Sequence, residues 1–334
     1  MGMNISTLED KSMPLVTVII TTYKRLDMCK RAVNSALRQT YRPLEILVVE
    51  DGSESGIKEW LDVQELPNVQ YVRHEYRKGL AAARNRGLQL AKGEFIAYLD
   101  DDDEWKPERV EKQVSLLGTL TNEQKQKMGV IYCGSEVRGT DGSLIAVTHP
   151  NNEGHLKGAI MYLGIATIPS TCLYPKNVLE NIGGFDPALP SSIDHDIWMN
   201  LAVHGYHAYA IDEPLVITYD YRSRKAMTTD VTPRIQGVRA YVEKWMPVYQ
   251  EWFDETGGRV YGHRYFSRVI ASLAATKLVF GYSGESLQAI FAIFRYSDEI
   301  MYSIFMLLKY IIFFGSKRLL PHYVFDLVKK IQKT

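Results

Sequence analysis

Four consecutive aspartates, Asp100, Asp101, Asp102 and Asp103, directly follow an apolar run at residues 95–99. Like charges held this close raise one another's pKa unless a cation compensates them. Carboxylate oxygens select Mg²⁺ or Mn²⁺, which proteins usually hold through one or two carboxylates and the phosphate oxygens of a substrate. The run therefore predicts a divalent metal site. The alternative is a solvated turn in which Asp102 or Asp103 caps the helix behind Pro107.

Two further residues could bind a ligand. Asp51 follows an apolar run and precedes Gly52. Its carboxylate could accept hydrogen bonds from a base or a ribose hydroxyl, or it could end a strand in an Asp-Gly turn. Arg84 stands among alanines in a helical pattern. A guanidinium there could reach a phosphate or an acid, or lie on the surface.

Asp194 stands at the start of another predicted helix. The helix dipole at that position keeps a carboxylate ionised, which a general base requires, and the same position suits a helix N-cap. The adjacent His195 invites a metal or nucleophilic interpretation. Because no Ser/His/Asp triad can be inferred from the sequence, we treat His195 as accessory.

The elements that must position these residues alternate between strand and helix in the first third of the chain. This alternation predicts an α/β fold with a mostly parallel, doubly wound sheet, in which ligands bind beyond the carboxyl ends of the strands. Polar clusters follow three of the predicted strands. They are Thr21 to Tyr23, Asp51 to Ser53, and Asp100 to Asp103.

Different patterns follow along the chain. Residues 130–133 and 144–147 flank Asp141-Gly142 and predict a hairpin. Residues 168–174 read as extended, and residues 215–219 as one more strand. From about residue 233 the apolar periodicity is helical throughout.

Composition excludes several classes of protein. The 334 residues carry 39 basic and 39 acidic side chains, and this zero net charge argues against a dedicated nucleic-acid binder. Three cysteines without metal-ligand spacing argue against a disulfide framework or a zinc site. No secretory signal is visible at residues 1–14, and no apolar run reaches the roughly 18 residues of a spanning helix.

Five segments together resemble, in the family order, the motifs of family 2 glycosyltransferases with the GT-A fold. The resemblance covers roughly residues 14–225. Its segments are residues 14–25 (PLVTVIITTYKR), 45–53 (EILVVEDGS), 79–87 (GLAAARNRG), 97–103 (AYLDDDD), and 183–186 (GGFD) with Asp194. It implies an inverting transferase that uses a nucleotide-diphospho-sugar with Mn²⁺ or Mg²⁺.

The resemblance also implies roles for individual residues. Asp100 and Asp102 match the ends of the family's Asp-X-Asp motif, with Asp100 near the ribose and the metal and Asp102 a metal ligand. Asp194 matches the acidic general base. The remaining roles are the nucleotide pocket for Thr21 and Tyr23, the base for Asp51, the base or diphosphate for Arg84, and a share of the donor or metal contacts for Asp101 and Asp103.

Two departures from the family pattern sharpen this expectation. The Gln/Arg-X-X-Arg-Trp motif of processive synthases is absent, which favours transfer of a single sugar. No histidine lies between His207 and His263 to act as a late metal ligand, so water would complete the metal shell. We expect a UDP-sugar donor and a lipid-linked glycan acceptor in surface polysaccharide synthesis.

Two other functions stay open. A sugar-nucleotide nucleotidyltransferase shares such a sheet and acidic metal site, but would usually carry a Gly-rich basic loop after the first strand. The segment from Thr21 to Arg25 has no glycine. An inactive GT-A-like binding module is the third possibility, against which the retention of all five segments argues.

The expected domains are a disordered N-terminus or cloning remnant at 1–13, a catalytic domain at 14–230 and a helical region at 231–334. The nucleotide-sugar half would span about 14–103 and the acceptor half about 104–230. Residues 300–334 hold six Lys and Arg against one acid, beside an apolar stretch. Such a segment suits an interfacial helix, so we expect peripheral attachment to the cytoplasmic face of the cell membrane. The alternative is packing on the catalytic domain or a second subunit, as in a homo-oligomer.

Overall fold

The structure is a computed structural model and describes residues 13–162, 168–220 and 230–319. Its strands form one mixed sheet in the order β3-β2-β1-β4-β9-β6-β10-β5, with β7 beside β6 and β8 beside β10. The strands are β1 Val16–Thr22, β2 Leu44–Glu50, β3 Val69–Arg73, β4 Phe95–Asp100, β5 Glu104–Trp105, β6 Met128–Arg138, β7 Leu144–Thr148, β8 Gly154–His155, β9 Cys172–Pro175 and β10 His207–Tyr219.

The parallel register of β1 with β2 and β4 decides where the polar clusters lie. Thr21 pairs with Val49 on one side and with Asp100 on the other. The three strands therefore end at the same edge of the sheet. This confirms the predicted α/β fold and brings the clusters after Thr21, Glu50 and Leu99 together.

Helices connect the strands and cover the sheet. Apolar side chains of β1, β2 and β4 and of the helices α1 and α4 form a buried core. The helices up to residue 203 are α1 Leu26–Leu37, α2 Ile57–Gln64, α3 Leu80–Leu90, α4 Arg109–Thr119, α5 Asn122–Lys127, α6 Leu156–Tyr162, α7 Lys176–Asn181 and α8 Ile193–Val203.

Two local expectations were wrong. The helix behind Pro107 begins at Arg109, and β5 lies between the acidic run and that helix. Because the N-cap is Glu108, neither Asp102 nor Asp103 caps this helix. Within the predicted extended segment, a 3-10 turn, Pro169–Thr171, precedes β9.

The chain divides into two compact units. Of the described residues, one unit holds 13–187 and 194–220, and the other holds 188–193 and 230–319. Residues 230–319, the larger described part of the second unit, form four helices, and the hydroxyls of Ser267, Ser297 and Ser303 form buried hydrogen bonds there. The helices are α9 Val231–Phe253, α10 Glu255–Val279, α11 Ser283–Tyr296 and α12 Ile300–Leu319. Among the helices described, none combines the length and apolar character needed to cross a bilayer.

Helix α3 packs against the sheet at Gly87, where there is no room for a side chain. A Cβ atom added at Gly87 would lie 2.4 Å from Cγ2 of Ile19, which is fully buried in β1. Gly87 thus sets how deeply α3, and the Arg84 that it carries, sit against the strands.

We expect Gly87→Ala to lower the free energy of unfolding by about 1 to 3 kcal/mol, because the branched core side chain of Ile19 cannot yield cheaply. Gly118→Ala is the matched control, since Gly118 lies in helix α4 with open space at its Cβ. There alanine should stabilise by roughly 0.5 to 1 kcal/mol. Urea denaturation of both variants measures the difference, and equal stabilities would contradict the close approach of α3.

Candidate active site

The guanidinium of Arg84 joins two of the predicted site residues. Its Nη2 lies 2.6 Å from Asp100 Oδ1 at the end of β4, and its Nη1 lies 2.6 Å from Asp194 Oδ1 in the first turn of α8. The Arg84 side chain is 1% exposed. Burial alone lowers the pKa of Arg84, but the two carboxylates outweigh it and raise the pKa.

Two of the sequence motifs, residues 79–87 and 183–186, contact each other around this guanidinium. Asn85 exchanges two hydrogen bonds with the backbone of Phe185, 2.7 Å from Asn85 Nδ2 to the carbonyl and 2.8 Å from the Phe185 N–H to Asn85 Oδ1. The Phe185 ring then lies 4.9 Å from the Arg84 guanidinium. Gly184 has φ +67°, and a Cβ there would meet Asn85 Oδ1 at 2.6 Å. The turn therefore requires glycine at this position.

Asp194 lies where a general base could act, but not as a helix cap. Helix α8 begins at Ile193, so Asp194 is the second residue of its first turn and the N-cap interpretation is wrong. Its side chain is 38% exposed, against 29% for Asp100. His195 follows Asp194 in the helix.

The rest of the acidic run is held by Arg25 and Thr22. Arg25 Nη1 lies 3.0 Å from Asp101 Oδ1 and 2.9 Å from Asp102 Oδ2. The Thr22 hydroxyl donates to Asp101 Oδ2 at 2.8 Å. Burial raises the pKa of Asp101 to about 6, although Arg25 opposes the shift. Burial, together with the charge of Asp100, also raises the pKa of Asp102.

Asp103 completes the run as a buried carboxyl. Burial and the charges of Asp100 and Asp102 raise its pKa well above the usual range. Of the five carboxylates, those of the run and Asp194, four pair with Arg25 or Arg84, and Arg31 donates to the backbone carbonyl of Asp102 at 3.0 Å. The pKa values of Asp101, Asp102 and Asp103 are still raised, so a further cation at the end of β4 would stabilise their charged forms.

The donor set fits one kind of metal site. In the part of the chain that the structure describes, no group of three or more His, Cys, Asp or Glu side chains is arranged to hold an ion. Asp100 and Asp102 offer two carboxylates whose charges interact. This fits a divalent ion bound through one or two carboxylates together with substrate phosphate oxygens, and does not fit a site built from protein ligands alone.

Asp51, which the resemblance assigns to the base, is held within a loop of the protein. The buried Asp51 accepts hydrogen bonds from the N–H groups of Lys78 and Gly79, each at 2.8 Å. Its Oδ1 also lies 2.9 Å from His74 Nδ1. Asp51 therefore organises the loop that leads into helix α3, and a contact with the base would be an additional role.

Tyr23 lies among cationic side chains, with Arg77 4.4 Å and Lys24 5.2 Å from its ring centroid. Thr21 is buried within β1. Sequence reasoning missed Arg77 and Arg25. The sequence did contain a signal for both residues, because each is a basic residue that follows a predicted strand by a few positions, where an anion could bind.

Comparison with known proteins relates this chain to a family. Residues 17–162 match the model of Glycosyl transferase family 2. An uncharacterized glycosyltransferase of Rickettsia felis is 32% identical over 222 residues, which is 64% of this chain and 35% of that protein. The chain thus spans about a third of this rickettsial relative's length.

A second relative has a described activity. The Escherichia coli UDP-Glc:alpha-D-GlcNAc-diphosphoundecaprenol beta-1,3-glucosyltransferase WfaP is 29% identical over 196 residues, covering 59% of this chain and 73% of that protein. These matches confirm the resemblance to family 2 glycosyltransferases that the sequence motifs indicate.

Solved structures share the fold. S. aureus TarS 1–349 in complex with UDP-GlcNAc has a TM-score of 0.56 at 17% identity, with 91% of both chains covered. The mannosyltransferase PcManGT from Pyrobaculum calidifontis, in complex with GDP-Man and Mn²⁺, has a TM-score of 0.52 at 18% identity, covering 90% of this chain and 86% of that one. The fold is therefore GT-A.

We expect Asp51→Asn to loosen the loop between β3 and α3. An amide replaces one acceptor oxygen by an N–H₂ donor, so the hydrogen bond to the N–H of either Lys78 or Gly79 is lost. Losing a hydrogen bond to a charged acceptor costs about 1.5 to 3 kcal/mol, enough to raise local opening about tenfold or more. Limited trypsin digestion followed by mass spectrometry reports cleavage after Arg77 and Lys78.

The matched control is Asp62→Asn, which changes an exposed carboxylate paired only with Lys58 on helix α2. Its digestion pattern should equal that of the wild type. Unchanged cleavage after Arg77 in the Asp51 variant would show that Asp51 does not hold this loop.

Proposed function

We propose that this chain transfers one sugar from a nucleotide-diphospho-sugar, with a UDP-sugar favoured, to an acceptor hydroxyl with inversion at the anomeric carbon. One observation carries the proposal. A single guanidinium holds Asp100, the first residue of the Asp-X-Asp motif, and Asp194, the acidic residue in the family's base position. The family match and a neighbour bound to UDP-GlcNAc support it.

The chemistry follows from the positions of the charges. Asp194 takes the proton from the acceptor hydroxyl, whose oxygen attacks the anomeric carbon on the face opposite the leaving nucleoside diphosphate. One displacement by one nucleophile inverts the configuration. An Mn²⁺ or Mg²⁺ ion, when bound, supplies positive charge to the leaving diphosphate. Asp102 and Asp100 would hold it, with Asp103 as a further candidate.

The donor would lie over the ends of β1, β2 and β4. We assign the nucleotide pocket to Thr21 and Tyr23, the base to Asp51, and further donor contacts to Asp100 and Asp101. The cationic surroundings of Tyr23 suit a diphosphate, because Arg77 and Lys24 bring positive charge to this edge. PcManGT with GDP-Man and Mn²⁺ supports a metal-assisted donor site in this fold.

The acceptor is the next element of the proposal. WfaP acts, by its name, on a sugar linked through a diphosphate to undecaprenol. We assign to this chain an acceptor of the same class, a lipid-linked glycan in surface polysaccharide synthesis. Such an acceptor keeps its reactive sugar close to a bilayer, which gives a reason for membrane contact.

Helices α11 and α12 present apolar side chains that suit this contact. On α12, Met301 is 79% exposed and Phe305 is 60% exposed, and they lie one turn apart. We call the exposed apolar side chains that recur at helical spacing on these two helices the apolar face. They are Leu287, Phe291 and Phe294 on α11, and Met301, Phe305, Leu308 and Ile312 on α12. The sequence beyond it is basic, with Lys317, Arg318, Lys329, Lys330 and Lys333; side chains from residue 316 onward lie outside the described residues.

We therefore assign this apolar face to the cytoplasmic surface of the cell membrane, as a peripheral contact. A large apolar surface beside basic residues is what an interfacial segment needs to insert among anionic headgroups. A second copy of the chain is the competing occupant.

The test of the enzymatic proposal is Asp194→Asn. Wild-type protein with Mn²⁺ should release nucleoside diphosphate from one of a panel of UDP-, GDP- and dTDP-sugars in the presence of a prenyl-diphosphate-linked sugar, and EDTA should stop it. Asparagine still accepts the hydrogen bond from Arg84 but cannot take a proton, so turnover should fall about 10²-fold or more. Donor affinity should change little.

Asp212→Asn is the control for this substitution, because Asp212 is exposed and pairs with His149. It should turn over like the wild type. Normal turnover by Asp194→Asn would show that Asp194 is not the general base. If the wild type releases nucleoside diphosphate from none of the sugar nucleotides, the proposed function is wrong.

The test of the membrane proposal is the triple variant Met301→Gln, Phe305→Gln and Leu308→Gln. Because the three side chains are exposed, the fold should tolerate the changes. Co-sedimentation with vesicles of phosphatidylglycerol and phosphatidylethanolamine should weaken about tenfold or more, since the apolar contribution is lost. Salt should weaken wild-type binding as well.

The control is Val63→Gln with Leu144→Gln, two exposed apolar residues of the other unit. It should sediment like the wild type. Unchanged sedimentation of the triple variant would refute the membrane contact, and a change of oligomeric state instead would assign the apolar face to a second copy.

A further inference from the structure

We infer that Arg84 is a positioning residue, which acts by fixing Asp100 and Asp194 relative to each other rather than by binding the donor itself. The inference rests on the proposed function and goes beyond it. It concerns how Asp100, on the donor side of the site, and Asp194, on the acceptor side, are held in fixed relative positions.

The hydrogen-bond pattern carries the first step. Arg84 gives one terminal nitrogen to each carboxylate, and each carboxylate receives it on Oδ1. Neither Oδ2 accepts a hydrogen bond from any residue within the described parts of the chain. One oxygen of each carboxylate is therefore held, and the other is left for the substrate: a proton at Asp194, and the donor or its metal at Asp100.

The second observation is that the Arg84 side chain is enclosed by other buried groups. Its guanidinium lies 4.9 Å from the Phe185 ring and 5.8 Å from the Tyr98 ring, and all three side chains are buried. Its Nε is also buried and has no partner among the described residues. Gly87 fixes the depth of the same helix against β1. A guanidinium this enclosed cannot follow a moving ligand, but it can fix two side chains precisely relative to the core.

The exposure of the three groups carries the third step. The two carboxylates are partly exposed, whereas the guanidinium between them is 1% exposed. Each terminal nitrogen of Arg84 has a second N–H, but the side chain is 1% exposed, so a diphosphate could reach it only if a carboxylate moved aside and its ion pair opened. Breaking such a buried pair is strongly unfavourable. Asp100 also stays anchored in β4, where its N–H donates to the Ser170 hydroxyl at 3.1 Å.

The discriminating variant is Arg84→Lys. A lysine ammonium keeps the charge but lacks the planar fork that reaches two carboxylates in a fixed geometry. If Arg84 positions the carboxylates, kcat for sugar transfer should fall about 10²-fold, the usual scale for misplacing a catalytic group, while the affinity for UDP with Mn²⁺, which depends on Asp100 alone of the two carboxylates, should fall by a smaller factor. Arg86→Lys is the matched control, since Arg86 is exposed on the same helix, and it should behave like the wild type.

A double variant tests whether Arg84 acts through Asp194. Combining Arg84→Lys with Asp194→Asn should reduce kcat by clearly less than the product of the two single losses, because the part of the Arg84 effect that acts through Asp194 is already lost. Multiplying losses would overturn the inference. So would a loss of UDP affinity of about tenfold or more with kcat intact, which would instead show direct donor contact.

Thermal unfolding of the same variants without substrate separates this inference from the proposed function. The bridge predicts coupling: the loss of Tm in the double variant should be smaller than the sum of the single losses by about 3 °C or more. Strict additivity of the Tm losses would overturn the bridge even if transfer is observed. A chain that uses no sugar nucleotide yet shows the coupling would reject the proposed function and the kinetic role while leaving the bridge in place.

Discussion

The compensation of negative charge at the end of β4 is the constraint on which the site depends. A buried strand delivers four consecutive aspartates to one edge of the sheet, and helix α8 adds Asp194 beside them. Arg25 pairs with Asp101 and Asp102, and Arg84 pairs with Asp100 and Asp194. Without these two guanidinium groups, four of the five carboxylates would lose their ion pairs beside the buried Asp101 and Asp103, which is strongly unfavourable.

The two arginines meet this constraint in different ways. Arg25 lies just before helix α1 and is 37% exposed, so solvent screens its ion pairs and the side chain has room to move. Arg84 lies inside the fold, enclosed by Phe185 and Tyr98. The site therefore has one adaptable side and one fixed side. An arrangement of this kind suits the proposed reaction, in which a charged donor would enter and leave while Asp194 keeps its place.

The structure also joins parts of the chain that the family match leaves separate. The match ends at residue 162, yet Phe185 and Asp194 complete the surroundings of Arg84. Their link to the matched segment is tertiary and consists of hydrogen bonds from Asn85 and an ion pair from Arg84. The apolar face on α11 and α12 belongs to the other compact unit, so catalysis and membrane contact are assigned to separately packed parts of the chain.

The sequence by itself determined the alternation of strands and helices, and hence that three polar clusters would end at one edge of a parallel sheet. Apolar runs and their spacing are local signals, and the resemblance of five segments supplied the rest of the assignment. Only the tertiary structure decided that Asp51 holds the loop before α3, that Asp194 is not a cap, and that Arg84 is buried between two carboxylates. These pairings join residues up to 110 positions apart, and no pattern of neighbouring residues encodes which charge a guanidinium will find across the fold.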